Sequence, residues 1–565
     1  TSQAAFARDG ERIPVQMKQG DNSLLLRLEQ ADPSTWPFTV RVLESGTLLP
    51  PTEEIVPYLT VSGTQVNVHT DLPNRSEGKP VEVVAIASGG RVIATETTER
   101  GKVVGFDAGA WPDGAYELRA ATQNAWGEPY LVHLPWYKGD AASAARRLID
   151  AASSAGNDVY GAHVRLLAEI VRDRTGGQID TTLVDATLPG LATRIHSPLL
   201  EYEELQLDRA QQTGTVRAGG FVRLGYRDEI DGSVQFCRAY LPTDYAASRQ
   251  WPLVLALHGY NPANPPLHRW WSVDQRHSEI ADRKGIIYIE PHGRGNAQYL
   301  GLGQQDVLRC LEHAQARFSV HEDRRDLTGE SMGGHGTWAI ASRNPQLFAA
   351  AAPVYGGWDF RVTTIAGPPQ PQNQPRNPRE FYIQERNSSF SSAENLLNVP
   401  LLVIHGDKDT AVSVENSRHA TQMLQRWGYD IRYWEMPGWA HEDLLQRSSI
   451  VDWLLTHRRE DAPHQVRVRA TDLAAAHAHW LQVHAMHEPQ RIIRADAQVI
   501  EPGIVRIDSE NVAAFTLALP QRLRGEHNEM HVVWNGARQR VALEDGEARV
   551  GASAPSSDAL RKRAN

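Results

Sequence analysis

Apolar and polar positions divide the chain into four stretches. After a polar, irregular lead-in to about residue 19, residues 20–137 carry short runs with a period of two. Examples are Leu24-Leu25-Leu26-Arg27-Leu28, Val40-Arg41-Val42, Gln65-Val66-Asn67-Val68-His69 and Val81-Glu82-Val83-Val84-Ala85-Ile86. Successive side chains on a strand point to opposite faces, so this period predicts half-buried strands. Asp71-Leu72-Pro73-Asn74, Gly89-Gly90 and Trp111-Pro112-Asp113-Gly114 punctuate them as turns. Regular short strands of this kind predict an immunoglobulin-like β-sandwich. Across 140–213 the period changes. Residues 141–149 and 159–172 set apolar side chains three and four apart, which predicts a helical connector.

From 216 to 460 strands and helices alternate. Residues 221–226 and 233–241 read as an opening hairpin. Leu253-Val254-Leu255-Ala256-Leu257 is a continuous apolar run, as a strand buried on both faces requires. Ile286-Ile287-Tyr288-Ile289, residues 347–354, Leu401-Leu402-Val403-Ile404 and residues 431–436 repeat the signal, with helical patterns at 278–284 and 305–318 between them. The expected fold is α/β, with a mainly parallel sheet built from βαβ units. At 367–392 a proline-rich and then polar run interrupts the pattern. It cannot form a core, and an insertion near the mouth of a site is expected there. Short strands return over 463–552, with Asn535-Gly536 as a hairpin turn. A small C-terminal β domain follows from this, and the tail beyond 554 reads as disordered.

Candidate chemistry sits at the ends of the buried strands. Gly329-Glu330-Ser331-Met332-Gly333 lies between a strand and a helix. A serine on so sharp a turn needs small residues two before and two after it. Its hydroxyl is then exposed at a helix N-terminus, where backbone N–H groups favour negative charge. The bland alternative is a glycine-rich loop with a capping serine. The functional reading requires an acid and then a histidine after later strands. Asp409, in His405-Gly406-Asp407-Lys408-Asp409, is the expected acid, with Asp407 shaping the turn. His441, after the strand at 431–436, is the expected base. The oxyanion donors are expected to be the N–H groups of Met332 and of Tyr260, which follows the early strand in His258-Gly259-Tyr260.

Composition narrows the partners. The chain has 565 residues, a net charge of −10 and no long basic run, which argues against nucleic acid or an anionic membrane as partner. No apolar stretch is long enough to span a bilayer. Cys237 and Cys310 have no metal-ligand spacing; one disulfide is possible, but two buried thiols are the expectation. No cofactor or metal is expected. His477, His479, His484 and His487 cluster, but a solvated β face explains them better than a metal. A chain starting at Thr1 fits removal of a signal segment or a trimmed piece; a secreted or periplasmic location is expected, with the cytoplasm as the alternative.

Leu257-His258-Gly259-Tyr260, Gly303-Gln304-Gln305-Asp306, Gly329 to Trp338, Phe348 to Pro353 and His405 to Asp409 together resemble the α/β-hydrolase superfamily. The nearest group is that of prolyl-oligopeptidase-like (S9-type) esterases and depolymerase-like carboxylesterases, some of which carry an immunoglobulin-like domain ahead of the hydrolase. The resemblance covers residues 216–460. It implies hydrolysis of a small-molecule or polymer-linked carboxylic ester more readily than of a peptide. An S9-type serine peptidase and a binding protein with an inert hydrolase domain are the alternatives. Trp270-Trp271, Trp358 and Trp439 lie near predicted strand ends, where they could stack on an aryl or feruloyl group or simply pack. His292 and Arg294 could meet an anionic group, with turn-shaping as the default. Oligomeric state is not legible.

Overall fold

The computed structural model describes residues 47–48, 58–70, 80–99, 101–123, 129–156, 158–174, 196, 198–207, 218–261, 275–359, 378–441, 448–489, 491–526 and 528–551. The strands expected at 24–28 and 40–42, Trp270-Trp271, the proline-rich run and the tail lie outside these residues. The chain divides into two compact units, 1–217 with 271–275, and the remainder.

In the first unit two four-stranded antiparallel sheets share one core. One contains Tyr58–Ser62, Gln65–His69 and Val103–Asp107; the other orders Val92–Glu99, Pro80–Ala87, Gly114–Gln123 and Pro129–Lys138. Alternate residues such as Val66, Val68, Val83, Leu118 and Trp136 fill the space between them. Tyr116 donates its hydroxyl to the Pro112 carbonyl at 2.6 Å, four residues upstream. Helices Ala141–Ser154 and Val159–Arg174 follow; Asp140 caps the first by accepting the Ser143 N–H at 2.9 Å. The helical residues 198–207 are tied to the second sheet by Glu203, which accepts from the Ala115 N–H and the Ser88 hydroxyl, both at 3.0 Å.

In the second unit eight strands form one sheet: β1 (Gly220–Arg227), β2 (Val234–Leu241), β3 (Trp251–Leu257), β4 (Ile287–Pro291), β5 (Val320–Glu330), β6 (Ala350–Val354), β7 (Leu401–Gly406) and β8 (Ile431–Met436). Their order is β8-β7-β6-β5-β3-β4-β2-β1. β3 to β8 pair in parallel; β1 and β2 are antiparallel additions at one edge. Every residue of β3, β6 and β7 is buried, which is why those segments read as unbroken apolar runs. Helices α1 (Gln275–Lys284), α2 (Leu302–Arg317), α3 (Met332–Arg343), α4 (Glu415–Arg426) and α5 (Ser448–Leu454) occupy the connections. Cys237 on β2 and Cys310 on α2 are bonded to each other, with Cα atoms 5.8 Å apart. The expectation of two free thiols is thereby corrected: pairing depends on which strand the helix crosses, which spacing does not reveal.

A second correction concerns the polar run before β7. Pro378–Asn387 is helical, and Ser389–Asn398 forms 3₁₀ turns with Ser389, Ser391, Ser392 and Asn395 buried. Ser391, Ser392 and Asn395 enter the interior with hydrogen-bond partners. Ser392 and Ser342 share a hydrogen bond of 2.7 Å, and Asn395 donates to the Ser342 carbonyl at 2.8 Å. Asn395 also accepts the Arg469 N–H at 2.6 Å, tying this segment to Gln465–Ala470, the first strand of a nine-stranded sheet that closes the unit. That sheet is antiparallel apart from the pairing of Ile504–Glu510 with Glu529–Trp534. Its hairpin at Asn535-Gly536 has φ values of 47° and 84°, the mirror-turn conformation that glycine and asparagine tolerate.

Candidate active site

β5 ends at Glu330 and α3 begins at Met332, leaving Ser331 alone on the turn with φ 54° and ψ −115°. A side chain in that region costs about 1–3 kcal/mol and persists only when its surroundings fix it. Here they do. The Ser331 N–H donates to the Val354 carbonyl at 3.0 Å, and its carbonyl accepts from the His335 N–H at 3.0 Å. The glycines are needed for contact: a Cβ on Gly333 would lie 2.0 Å from the Leu257 carbonyl oxygen, and one on Gly329 would lie 2.4 Å from that of Gly333. Strand, turn and helix are therefore pressed together with backbone against backbone.

Two further loops reach the same edge. The loop after β7 carries Asp409 and the loop after β8 carries His441. They are joined to each other: the Lys408 N–H donates to the Trp439 carbonyl at 2.8 Å, and Asp407 accepts the Gly438 N–H at 2.6 Å. Gly406 permits this approach, since a Cβ there would lie 2.4 Å from the Trp439 carbonyl oxygen. His441 then sits with Nε2 2.9 Å from Ser331 Oγ and Nδ1 2.7 Å from Asp409 Oδ2. Asp409 is an acceptor at Nδ1, so that nitrogen carries the proton and Nε2 is free to accept from the serine. Three residues separated by up to 110 positions thus form one chain of hydrogen bonds.

Asp409 is surrounded by donors. Its Oδ1 accepts the N–H groups of Ala411 and Val412 at 2.8 and 2.9 Å, and its Oδ2 also lies 3.2 Å from Nε2 of His405, a residue with no exposure. Burial pushes its pKa up, but hydrogen bonds from His405, His441 and Val412 outweigh it and hold the carboxyl well below the usual carboxylate range. His405 is fixed on its other side by Ser417, 2.7 Å from Nδ1. Tyr355, with φ 34°, packs its ring 4.5 Å from that of His441 and donates its hydroxyl to Glu330 at 2.9 Å. Sequence reasoning missed His405 and Tyr355 as neighbours of the site. The His-Gly pair ending β7 was a visible signal for the first, and nothing marked the second.

The loop after β3 passes beside the serine: a Cβ on Gly259 would lie 3.7 Å from that of Ser331. Tyr260 follows at 55% exposure, and Met332 is fully buried at the start of α3. Trp358, expected to meet substrate, is instead buried completely, 4.6 Å from the Trp338 ring and 6.4 Å from Phe390. It packs the sheet against α3 and offers no face to a ligand. Trp439 is half-buried and packs on the core behind the sheet edge. Arg294 is engaged with Asp231 at 2.7 Å and Asp228 at 3.1 Å. His292 is buried and stacked on Phe236, and burial, with His258 and Arg294 nearby, pushes its pKa down to about 3.

Residues 271–460 match the model of the prolyl oligopeptidase family. An uncharacterized secreted protein of Arthroderma benhamiae is 26% identical over 213 residues, 34% of this chain and 22% of that protein. Dipeptidyl peptidase family member 2 of Caenorhabditis elegans is 28% identical over 164 residues, 26% of this chain and 20% of that protein. The chain thus spans about a fifth of the length of these curated relatives. A solved thermostable esterase aligns at TM-score 0.36 and 16% identity, covering 73% of this chain and 98% of that one. The family match takes in Ser331, Asp409 and His441, and by it this segment is similar to the prolyl oligopeptidase family.

Proposed function

We propose that the protein is a serine carboxylesterase with Ser331 as nucleophile, His441 as general base and Asp409 as the group that orients it. The observation that carries this is the continuous Asp409–His441–Ser331 hydrogen-bond chain. As Ser331 Oγ attacks the acyl carbon, its proton passes to His441 Nε2. The carbonyl oxygen becomes an oxyanion held by the N–H groups of Met332 and Tyr260. Collapse breaks the bond to the alcohol, which leaves with the proton from His441. Water, deprotonated by His441, then attacks the acyl-enzyme; the acid departs and Ser331 regains its proton. With Trp358 withdrawn into the core, Tyr260 and the partly exposed Trp439 are the aromatic faces we assign to the acyl group.

The sequence resemblance to S9-type esterases supports an ester over an amide. A peptidase is the second reading, favoured by the family match and by the name of the nematode relative. Hydrolysis of p-nitrophenyl acyl esters, compared with aminoacyl p-nitroanilides, separates the two. Ser331→Ala is expected to lose activity by a factor of about 10⁴ or more. Equal rates for wild type and variant, or no labelling of the wild type by a fluorophosphonate, would sink the catalytic reading and favour an inert hydrolase domain. We also read the N-terminal sandwich as immunoglobulin-like. Its strand order and the Tyr116 hydroxyl returning to Pro112 support this. A secreted location draws support from the Cys237–Cys310 bond and the secreted fungal relative. No described helix is long and apolar enough to cross a membrane.

A further inference from the structure

Between β4 and α2 the backbone takes an unusual path. Gly293, Arg294, Gly295, Gln298, Tyr299 and Gly301 all have φ between 54° and 64°, and three of them are not glycine. Such a conformation persists only where contacts over-determine it. On the outer side, Arg294 holds the loop to Asp231, Asp228 and the Ser233 hydroxyl of the β1–β2 hairpin. On the inner side, the Asn296 amide and the Tyr299 hydroxyl bond to the backbone of the loop after β3.

Asn296 accepts the Asn261 N–H at 3.0 Å and donates to the Asn261 carbonyl at 2.8 Å. Only one orientation of the amide satisfies both, because the other sets donor against donor and acceptor against acceptor. Tyr299 donates its hydroxyl to the His258 carbonyl at 3.1 Å. His258 Nε2 lies 2.9 Å from the His292 carbonyl. The Tyr299 ring is fully buried and wedged against α3: a Cβ on Gly336 would lie 2.5 Å from it, and one on Gly293 would lie 2.3 Å from it. Residues 258 and 261 are thus clamped, and Tyr260 lies between them. The same ring that fixes residue 258 also touches the helix that opens at the nucleophile.

We propose that Asn296 and Tyr299 are positioning residues that set the Tyr260 N–H for the oxyanion. They act through the loop backbone and touch neither Ser331 nor the acyl group. This rests on the esterase reading and adds to it the device that holds one donor still. A donor must meet the position that the oxygen occupies in the tetrahedral state, so a small displacement costs rate without costing ground-state binding.

The test uses the full chain with p-nitrophenyl acetate, and an alkylthio trifluoromethyl ketone as a mimic that forms an oxyanion on Ser331. Asn296→Ala is expected to lower kcat roughly tenfold to a hundredfold with KM changed less than about threefold. Ketone affinity should fall by the same factor as kcat/KM, and the pH–rate midpoint should stay in place. Asn296→Asp keeps the acceptor for Asn261 N–H but sets oxygen against the Asn261 carbonyl, and should be no better than alanine. Tyr299→Phe keeps the wedge, loses only the hydroxyl and should cost about threefold to tenfold; it carries the test if Asn296→Ala does not fold. Unchanged kcat in Asn296→Ala and Tyr299→Phe, full activity in Asn296→Asp, or a loss confined to KM with ketone affinity intact would overturn the proposal while leaving the esterase reading standing. A wild type that neither cleaves the ester nor reacts with a fluorophosphonate would sink both.

Discussion

The eight-stranded and nine-stranded sheets of the second unit have similar interiors and opposite consequences. Both bury continuous cores of valine, leucine, isoleucine and aromatic side chains. In the first, β3 to β8 run in one direction, so the residues that follow each strand gather along one edge. Residues 258–261, 331, 355, 407–409 and 437–441 all lie there. In the second, neighbouring strands are mostly antiparallel and their ends alternate between two edges. Its histidines show the effect. His477 lies in a two-residue strand, His479 follows on a turn at φ 49°, and His484 bonds to Thr516 at 2.7 Å. Among the described residues no group of three or more His, Cys, Asp or Glu side chains is arranged to hold a metal ion. Direction of the strands, more than the supply of reactive side chains, decides where polar groups converge.

The largest effect that would sharpen this contrast is expected at His405, which ends β7 inside the sheet. Its Nε2 lies 3.2 Å from Asp409 Oδ2 and 3.0 Å from the Val412 carbonyl, so it fixes the turn that presents the acid. His405→Phe removes a donor from a carboxylate with no exposure. The expected result is a fall in kcat of roughly tenfold to a hundredfold, because an acid that shifts misaligns His441. The wild-type acid limb should reflect one deprotonation, since Asp409 stays ionised across the working range. In His405→Phe its pKa rises and a second, lower transition should enter the pH–rate profile. A variant with unchanged rate and a single limb would show that the parallel edge does not need this support.

Much of that edge was legible from the chain, for a physical reason. Strands buried on both faces must be apolar throughout, so Leu253–Leu257 and Leu401–Ile404 announced themselves, and the polar residues after them marked strand ends. Ser331, Asp409 and His441 could be named from those ends. What stayed hidden depends on partners distant in sequence. Trp358 follows a strand end as a ligand-facing residue would, yet packs on Trp338, twenty positions upstream. Ser392 reads as part of a surface loop until Ser342 is placed beside it. Asn296 sits in Gly-Asn-Ala, an ordinary turn, and its role depends on Asn261, 35 residues away.

A smaller effect is expected in stability. The parallel sheet encloses His335 on α3, whose Nδ1 donates to the Gly357 carbonyl at 3.1 Å, and burial pushes its pKa from 6.5 down to about 4. The unfolded chain therefore takes up a proton that the folded one refuses. The contribution is complete above 6.5 and is lost as pH falls through 4, on the order of 3 kcal/mol at most. Asp306 works in the other direction. Burial raises its pKa to about 6, so its contribution is present below 3.8 and is lost as pH rises through 6. His335→Asn keeps a donor for Gly357 and removes the titration. Urea midpoints followed from pH 7 to 4.5 should fall less steeply in that variant than in wild type. Equal slopes would mean that His335 exchanges its proton as freely folded as unfolded.

The smallest effect is expected on the antiparallel side. His484 is exposed on Leu481–Ala485 and holds one hydrogen bond, to Thr516. His484→Ala removes a partner that water can replace, so the stability change should stay within about 1 kcal/mol. Its strand is antiparallel to its partner, Ala514–Leu517, and neither strand carries one of the residues assigned to acyl transfer. Hydrolysis of p-nitrophenyl acetate should therefore match wild type within about twofold, with KM unchanged, which is small against the hundredfold or so that one misplaced donor can cost. A loss beyond that, with the melting temperature intact, would mean that this sheet reaches the reaction and that the division between a converging edge and a dispersed one fails.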